Sequence, residues 1–317
     1  MTNMKALQIR QYGGSDVLEL NQNVPKPVAG NEQVLIEVRA ASLNPVDWKI
    51  RAGYLKEMAP LSMPATLGGD VCGIVVEVET SASAFKIGDR VYGYASLLSG
   101  GSGSFAEFVT AKISTVAPAP QKGTFVDVAA SPLVGASALQ AIEQHIKLQR
   151  GQKILIHGGA GGIGSVAIQV AKSIGAYVAT TASAAERAYV QELGADEVID
   201  YKKEAFEAKL KHFDAVFDTI GGDTMEKSFE VLRKGGTLVS MVGQPSKESA
   251  KKSGVTAVGQ LTQTTTEALK RLAQLVDSGA ITIRVAKVFP LEKATEAFQL
   301  VEAGHPRGKV VLEITQG

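Results

Sequence analysis

Hydrophobic residues in the first part of the chain come in short runs separated by turn signals. Ala6-Leu7-Gln8-Ile9 is followed by the Gly13-Gly14 turn, then Val17-Leu18-Glu19-Leu20 and a connector holding Pro25 and Pro27. From Val34 to Val38 the alternation puts Val34, Ile36 and Val38 on a buried face and Leu35 and Glu37 on a wet one, as in a half-covered strand. Asn44 and Pro45 break that strand and start a short helix. Gly68-Gly69-Asp70 opens a strand over 71–78, Gly88-Asp89 turns into 90–94, and 105–109 and 115–116 keep the same character. Many short strands with frequent turns predict a small antiparallel barrel.

The rhythm changes near Phe125. Residues 126–133 and 136–147 read as helices, and beyond Lys153 strands and helices alternate. The strands are expected at 153–157, 176–181, 196–200, 213–218, 236–242 and 255–261, with helices at 163–174, 184–193, 204–211, 222–233 and 265–278. Such alternation implies a parallel, doubly wound sheet with its binding crevice at the carboxyl ends of the strands. After Gly279 come 281–285, a helix over 291–302, and 308–314, whose alternation matches the first domain. The expected organisation is a barrel domain from 1–123 and 280–317 with a nucleotide domain, 124–279, inserted. Polar 247–253 reads as a mobile loop, and Ser99-Gly100-Gly101-Ser102-Gly103-Ser104 as either a lid or a loose turn.

Chemistry concentrates at Lys153-Ile154-Leu155-Ile156-His157-Gly158-Gly159-Ala160-Gly161-Gly162-Ile163-Gly164. The apolar β-branched run is a buried strand, and Gly159, Gly161 and Gly164 have the G-x-G-x-x-G spacing. Glycine there permits a tight turn, close approach of a pyrophosphate and close helix–strand packing. The phosphates would meet free N–H groups near Gly162 and Ile163. Ile163, Val166, Ala167, Val170, Ala171 and Ile174 then recur at helical spacing up to Gly175. An NAD-specific fold usually ends its second strand in an acid. Here Ala176 to Thr181 runs into Ala182-Ser183-Ala184-Ala185-Glu186-Arg187 with no acid at the tip. A small hydroxyl with a nearby guanidinium suits a 2′-phosphate, so NADPH is the expected cofactor, with Ser183 and Arg187 as its partners and Ser183 also a possible helix cap.

Composition narrows the classes. Lys+Arg 33 against Asp+Glu 32 gives net charge +1, which disfavours nucleic acid as the main partner. One cysteine, Cys72, excludes an internal disulfide framework and fits a reducing compartment. No signal-peptide pattern begins at Met1 and no apolar run spans a bilayer, so a cytoplasmic protein without a membrane partner is expected. His157 reads as a buried, hydrogen-bonded strand-end residue, and His145, His212 and His305 as surface or loop residues.

Taken together, Ala41-Ser42-Leu43-Asn44-Pro45-Val46-Asp47, the glycine turn, Leu193-Gly194-Ala195-Asp196-Glu197-Val198-Ile199-Asp200-Tyr201 and Gly308-Lys309-Val310-Val311 resemble the zinc-free quinone oxidoreductase and enone reductase branch of the medium-chain dehydrogenase/reductase superfamily. The resemblance implies a GroES-like barrel with an inserted Rossmann domain, NADPH, and reduction of a quinone or of the double bond of an α,β-unsaturated carbonyl. It also implies that Asn44 and Lys49 contact the cofactor, that Ser183, Ala184, Ala185 and Glu186 form the adenosine-phosphate loop with Tyr201 beside it, and that Met241 lies on the nicotinamide side. Gly308 and Lys309 would be the return segment that closes on the cofactor. Glu186 departs from several relatives, which carry Lys there. Zinc members use Cys, His and carboxylate ligands. Here the first cysteine position has Asn44, and Gly-His-Glu has become Gly68-Gly69-Asp70, so no metal is expected. Lys49 and Tyr54 are then the candidate donors to a substrate carbonyl, Lys49 equally a cofactor anchor. The alternative from another class is an NADPH-gated binding or structural protein. The family implies a homodimer, for which the apolar stretch Gly254-Val255-Thr256-Ala257-Val258 at the expected sheet edge is the candidate interface.

Overall fold

The computed structural model describes residues 2–78, 84–304 and 306–315. The chain divides into two compact units, one made of 1–133, 264–277 and 283–317, the other of 134–263 and 278–282. His305 lies outside the described residues.

The first unit holds strands β1 (Asn3–Ile9), β2 (Glu19–Pro25), β3 (Gln33–Leu43), β4 (Ala65–Thr66), β5 (Asp70–Val78), β6 (Arg90–Tyr94), β7 (Phe108–Lys112) and β8 (Val116–Pro118), with helix α1 (Pro45–Arg51) between β3 and β4. β2, β1 and β4 form a small sheet, and the long β3 organises the larger one. β3 pairs antiparallel with both β5 and β7, and its ladder to β5 shifts register at Leu35/Ile36 and again at Val38/Ala40. Each irregularity interrupts the strict period-two alternation. That is why Leu35, expected on a wet face, is only 1% exposed. The Ser99 to Ser104 stretch is a packed turn. Ser102 and Gly103 donate backbone N–H groups to Thr110 and Ala95 carbonyls, and a Cβ on Gly103 would lie 2.2 Å from the Thr66 carbonyl.

Helices α2 (Phe125–Ala129) and α3 (Pro132–Leu139) follow, and then the second unit's sheet: β9 (Lys153–Ile156), β10 (Tyr177–Ala182), β11 (Glu197–Asp200), β12 (Phe213–Asp218), β13 (Leu232–Ser240) and β14 (Thr256–Gly259). All pair in parallel in the order β11-β10-β9-β12-β13-β14. The connections are α4 (Gly162–Ile174), α5 (Arg187–Glu192), α6 (Phe206–Lys209), α7 (Gly222–Lys227) and α8 (Lys247–Ser253). This is the doubly wound Rossmann order, which reverses direction beside β9 and opens a crevice at the carboxyl ends of the strands. Residues 247–253, expected to be a loop, form α8. Ser246 accepts the Ser249 N–H at its start, Gly254 closes it at φ +66°, and Ala250 is buried.

The chain then forms α9 (Thr266–Asp277), β15 (Val285–Pro290), α10 (Ala294–Glu302) and β16 (Lys309–Glu313). β16 runs antiparallel to β3, Val310 opposite Leu43, so the chain does return to the first sheet. The division into units differs from the expected 124–279 insertion at three points, the smallest being that 280–282 group with the second unit. Residues 124–133 and α9 group with the first unit. Thr266 donates to the Ile113 and Val116 carbonyls, and the Tyr92 hydroxyl donates to the Leu269 carbonyl. α9 buries Ala268, Leu269, Leu272 and Leu275, a stripe whose periodicity gives a helix but not the partner it packs on.

Candidate active site

In the second unit, β9 runs through the glycine turn into α4. The glycines do different work there. Gly158 has φ +70°. A Cβ on Gly159 would lie 2.0 Å from Thr180 Oγ1, and one on Gly164 would lie 2.2 Å from the Gly158 carbonyl oxygen. Gly161 caps α4 in an extended conformation, its N–H donating to the Gly158 carbonyl at 3.0 Å, and a Cβ on it would lie 3.3 Å from the same oxygen. The first N–H groups of a helix have no partner within it, so those of Gly162, Ile163 and Gly164 point out of the turn at the positive end of a 13-residue helix. A Cβ-free cradle with convergent N–H donors fits a dinucleotide pyrophosphate. Thus the predicted residues Gly159, Gly161, Gly162, Ile163 and Gly164 come together in one turn, and Gly158 joins them.

His157 lies directly behind this turn, fully buried. Its ring meets Phe206 edge-on at 4.6 Å. Burial pushes its pKa down to about 4, against the opposing pull of Asp218 and Glu207, so the imidazole is neutral at pH 7. At the end of β12, buried Asp218 accepts N–H groups from Ile220 and Gly221 and the hydroxyl of Ser240. Met241, half-buried, follows β13 and donates its N–H to the Asp218 carbonyl. Asp218 went unnoticed in the sequence because a strand-ending Asp is as common in turns as in sites.

The adenosine-phosphate candidates follow β10. Ala184 to Glu186 form a single 3₁₀ turn with Ser183 at its N-cap. The Ser183 hydroxyl donates to Glu186 Oε2 at 2.7 Å, and Arg187 leans toward Glu204 at 3.9 Å. The two groups expected to meet a 2′-phosphate, the Ser183 hydroxyl and the Arg187 guanidinium, are thus each next to a carboxylate. Ser183 is turned to Glu186 instead, because a carboxylate three residues on is the nearest acceptor. Tyr201 is exposed just beyond β11, with the Lys202 ammonium 5.9 Å from its ring centroid.

In the first unit, Lys49 projects from α1 at the surface, its ammonium 5.7 Å from the Trp48 ring centroid. Tyr54 is 72% exposed and meets the same ring edge-on. Lys49 and Tyr54 are thus brought together around Trp48. A second lysine, Lys309, is buried. Its ammonium donates to the Leu43 carbonyl at 2.9 Å and to Asn44 Oδ1, and lies 3.5 Å from Asp70 Oδ2. Ser42 Oγ and Asn44 Nδ2 donate to the same Asp70 oxygen, at 2.7 and 2.8 Å, and the Leu133 N–H donates to the other. Burial lowers the Lys309 pKa, and Asp70 and Asp47 pull it back up. Asp47 forms a capping box with Asn44, accepting its N–H at 2.7 Å. Burial raises the Asp47 pKa to about 7, Asn44 and Lys309 opposing and Asp70 adding to the shift. Gly308, at φ +115°, lets β16 begin where a Cβ would lie 2.3 Å from the Arg284 carbonyl.

Asn44 and Asp70 surround an internal ammonium. Among the described residues, no group of three or more His, Cys, Asp or Glu side chains could hold a metal ion. Ser42, Asp47 and Asp70 were not singled out as site residues from the sequence. Their signal was the Asp-rich complement to a lysine more than 200 residues away, which only the return strand brings into register. Cys72 is buried, and burial raises its thiol pKa to about 12, which makes it an inert packing residue.

Residues 30–121 match the family described as alcohol dehydrogenase GroES-like domain, and residues 193–312 the family described as zinc-binding dehydrogenase. The chain is 38% identical over 318 residues to a 2-methylene-furan-3-one reductase of Solanum lycopersicum, covering 98% of this chain and 79% of that protein. Among solved structures, a quinone oxidoreductase from Coxiella burnetii superposes with a TM-score of 0.91 at 37% identity, covering 99% of this chain and all of that one. The Escherichia coli quinone oxidoreductase complexed with NADPH gives 0.86 at 27% identity, over 98% of this chain and 99% of that one.

Proposed function

Because the chain belongs to the medium-chain dehydrogenase/reductase superfamily, in its zinc-free quinone and enone oxidoreductase branch, we propose that it is an NADPH-dependent oxidoreductase. It transfers a hydride, without a metal, to a quinone or to the carbon–carbon double bond of an α,β-unsaturated carbonyl. The observation that carries this reading is the glycine turn, a cradle that side chains would fill, set on strand-turn-helix geometry with its N–H donors outward.

When bound, NADPH supplies the hydride at its nicotinamide. The chain supplies position and charge. The N–H groups of Gly162 and Ile163 would hold the pyrophosphate, and the loop from Ser183 to Arg187 with Tyr201 would take the adenosine end. Asp218 fixes the backbone beyond β12, next to Met241. In the first unit Asn44, Lys309 and Asp70 form a buried hydrogen-bonded seat, with Gly308 next to it in the chain. Lys49 and Tyr54, paired around Trp48, would offer a cation and a phenol to a substrate carbonyl oxygen.

We also propose a homodimer that pairs through β14, and a cytoplasmic location. Among the described residues β14 pairs with β13 and stands at the end of the sheet order. No helix among the described residues is long and apolar enough to cross a membrane.

The test is oxidation of NADPH and of NADH by chelator-treated protein, with an enone and a quinone offered separately and the products identified. The expected result is turnover with NADPH that survives chelation. Saturated ketone assigns double-bond reduction, and quinone-only turnover assigns quinone reduction. Binding of NADPH with no turnover of either class would replace the enzyme reading with that of an NADPH-gated binding protein.

A further inference from the structure

The glycine turn is held from behind by side chains. Thr181, at the carboxyl end of β10, meets it twice: its carbonyl accepts the Gly159 N–H at 3.1 Å and its Oγ1 accepts the Gly158 N–H, also at 3.1 Å. The same Oγ1 lies 3.2 Å from His157 Nδ1, and His157 Nε2 lies 3.0 Å from Ser228 Oγ. Ser228 donates its own proton to the Thr224 carbonyl at 2.6 Å. That fixes the direction of every bond. Ser228 must accept from His157, so the proton of the neutral ring is on Nε2 and Nδ1 is an acceptor. Thr181 then donates to Nδ1, which leaves its lone pairs for the Gly158 N–H. The result is a single-file relay from the turn, through Thr181 and His157, to Ser228 and the carbonyl of Thr224 in α7, in which each hydroxyl accepts one hydrogen bond and donates one.

The position of Gly158 matters to the ligand side of the turn. Its carbonyl accepts the Gly161 N–H and touches the space beside Gly164, so its peptide plane sets where the first turn of α4 begins. We propose that His157 is a positioning residue for the dinucleotide: by orienting Thr181 it holds the Gly158 peptide, and so aims the Gly162 and Ile163 N–H groups at the pyrophosphate. This rests on the reading of the glycine turn as the NADPH site. The ring itself touches no cofactor atom in this scheme, and its neighbour Phe206 packs against it edge-on.

The two ring nitrogens make the idea separable from simple packing. His157→Asn places an amide near the Nδ1 position and keeps the link to Thr181. His157→Gln places one near the Nε2 position and keeps only the link to Ser228. The measurement is the Kd of the full-length protein for NADPH by fluorescence titration, with Tm and the KM and kcat for NADPH recorded for each variant. In His157→Gln and in Thr181→Val the Kd is expected to rise about tenfold, the equivalent of one ordinary hydrogen bond lost. The loss should fall on KM more than on kcat. His157→Asn and Thr181→Ser should stay within about twofold of the wild type by retaining the link. The double variant His157→Gln/Thr181→Val should bind no worse than either alone, since both break the same link. Equal losses in the Asn and Gln variants, wild-type affinity in Thr181→Val, or a Kd that merely follows Tm would each overturn the inference. Wild-type protein that fails to bind NADPH in the same titration would sink the functional reading instead.

Discussion

At the scale of single residues, the nucleotide preference turns on Ser183 and Glu186. A phosphate-binding serine needs its hydroxyl proton free for the ligand, and here that proton points at a carboxylate 2.7 Å away. Glu186 therefore acts twice against a 2′-phosphate, by occupying the hydroxyl and by placing like charge beside the site. Two unit charges about 4 Å apart in water interact by about 1 kcal/mol, and the gain is larger where protein displaces solvent. Glu186→Lys reverses the charge and releases Ser183. Its Kd for NADPH is expected to fall about tenfold, with that for NADH changing less than about twofold. Equal shifts for both nucleotides would mean that this loop does not meet the 2′-phosphate.

At the scale of elements, the place of β14 at the end of the sheet order makes the assembly testable. Gln260 donates its N–H inward to the Ser240 carbonyl, so by strand alternation Val258 and Thr256 also face β13, and the N–H groups of Ala257 and Gly259 face outward. Proline at 257 removes an outward donor and spares the inward ladder. Ala257→Pro is expected to sediment as a monomer and to keep its turnover, whereas the wild type sediments as a dimer; a monomeric wild type would end the proposal of edge pairing. The elements themselves were unevenly legible. β9, the glycine turn and α4 could be read because apolar run, glycine spacing and helical periodicity all agree over one short stretch. α8 was missed because its polar composition hides a helix that rests on two caps and one buried alanine. Leu35 was misplaced because register shifts are properties of two strands together. The Lys309 seat and the relay behind His157 depend on residues far apart in the chain, and no local pattern announces them.

At the scale of the whole molecule, the two units carry buried titrating groups of opposite sense. His157, in the second unit, has its pKa lowered to about 4 by burial, against an ordinary value of 6.5. The unfolded chain therefore takes up a proton there before the folded one does. That contribution to stability is complete above about pH 6.5 and is lost as the pH falls toward 4. Asp47, in the first unit, has its pKa raised to about 7 by burial, with Asp70 and Lys309 the charged groups that face it. The folded form keeps that proton after the unfolded chain has released it, so its contribution is complete below the ordinary value of 3.8 and is lost as the pH rises toward 7. Each proton of difference changes stability by about 1.4 kcal/mol per pH unit. Carboxylates whose pKa values are lowered, such as Asp196 and Asp214 in the second unit and Glu292 in the first, change their protonation chiefly below pH 5. Between pH 5 and 7, then, acidification should loosen the second unit and tighten the first. Hydrogen exchange corrected for intrinsic rates reads this directly, through the amides of Ile154 to Ile156 in β9 and of Ile36 to Val38 in β3. On going from pH 7 to 5, protection in β9 should fall and protection in β3 should rise, and Asp47→Asn should abolish the rise in β3 while leaving the fall in β9. Protection that moves in the same direction in both strands would mean that one of the two buried groups does not titrate as its surroundings require.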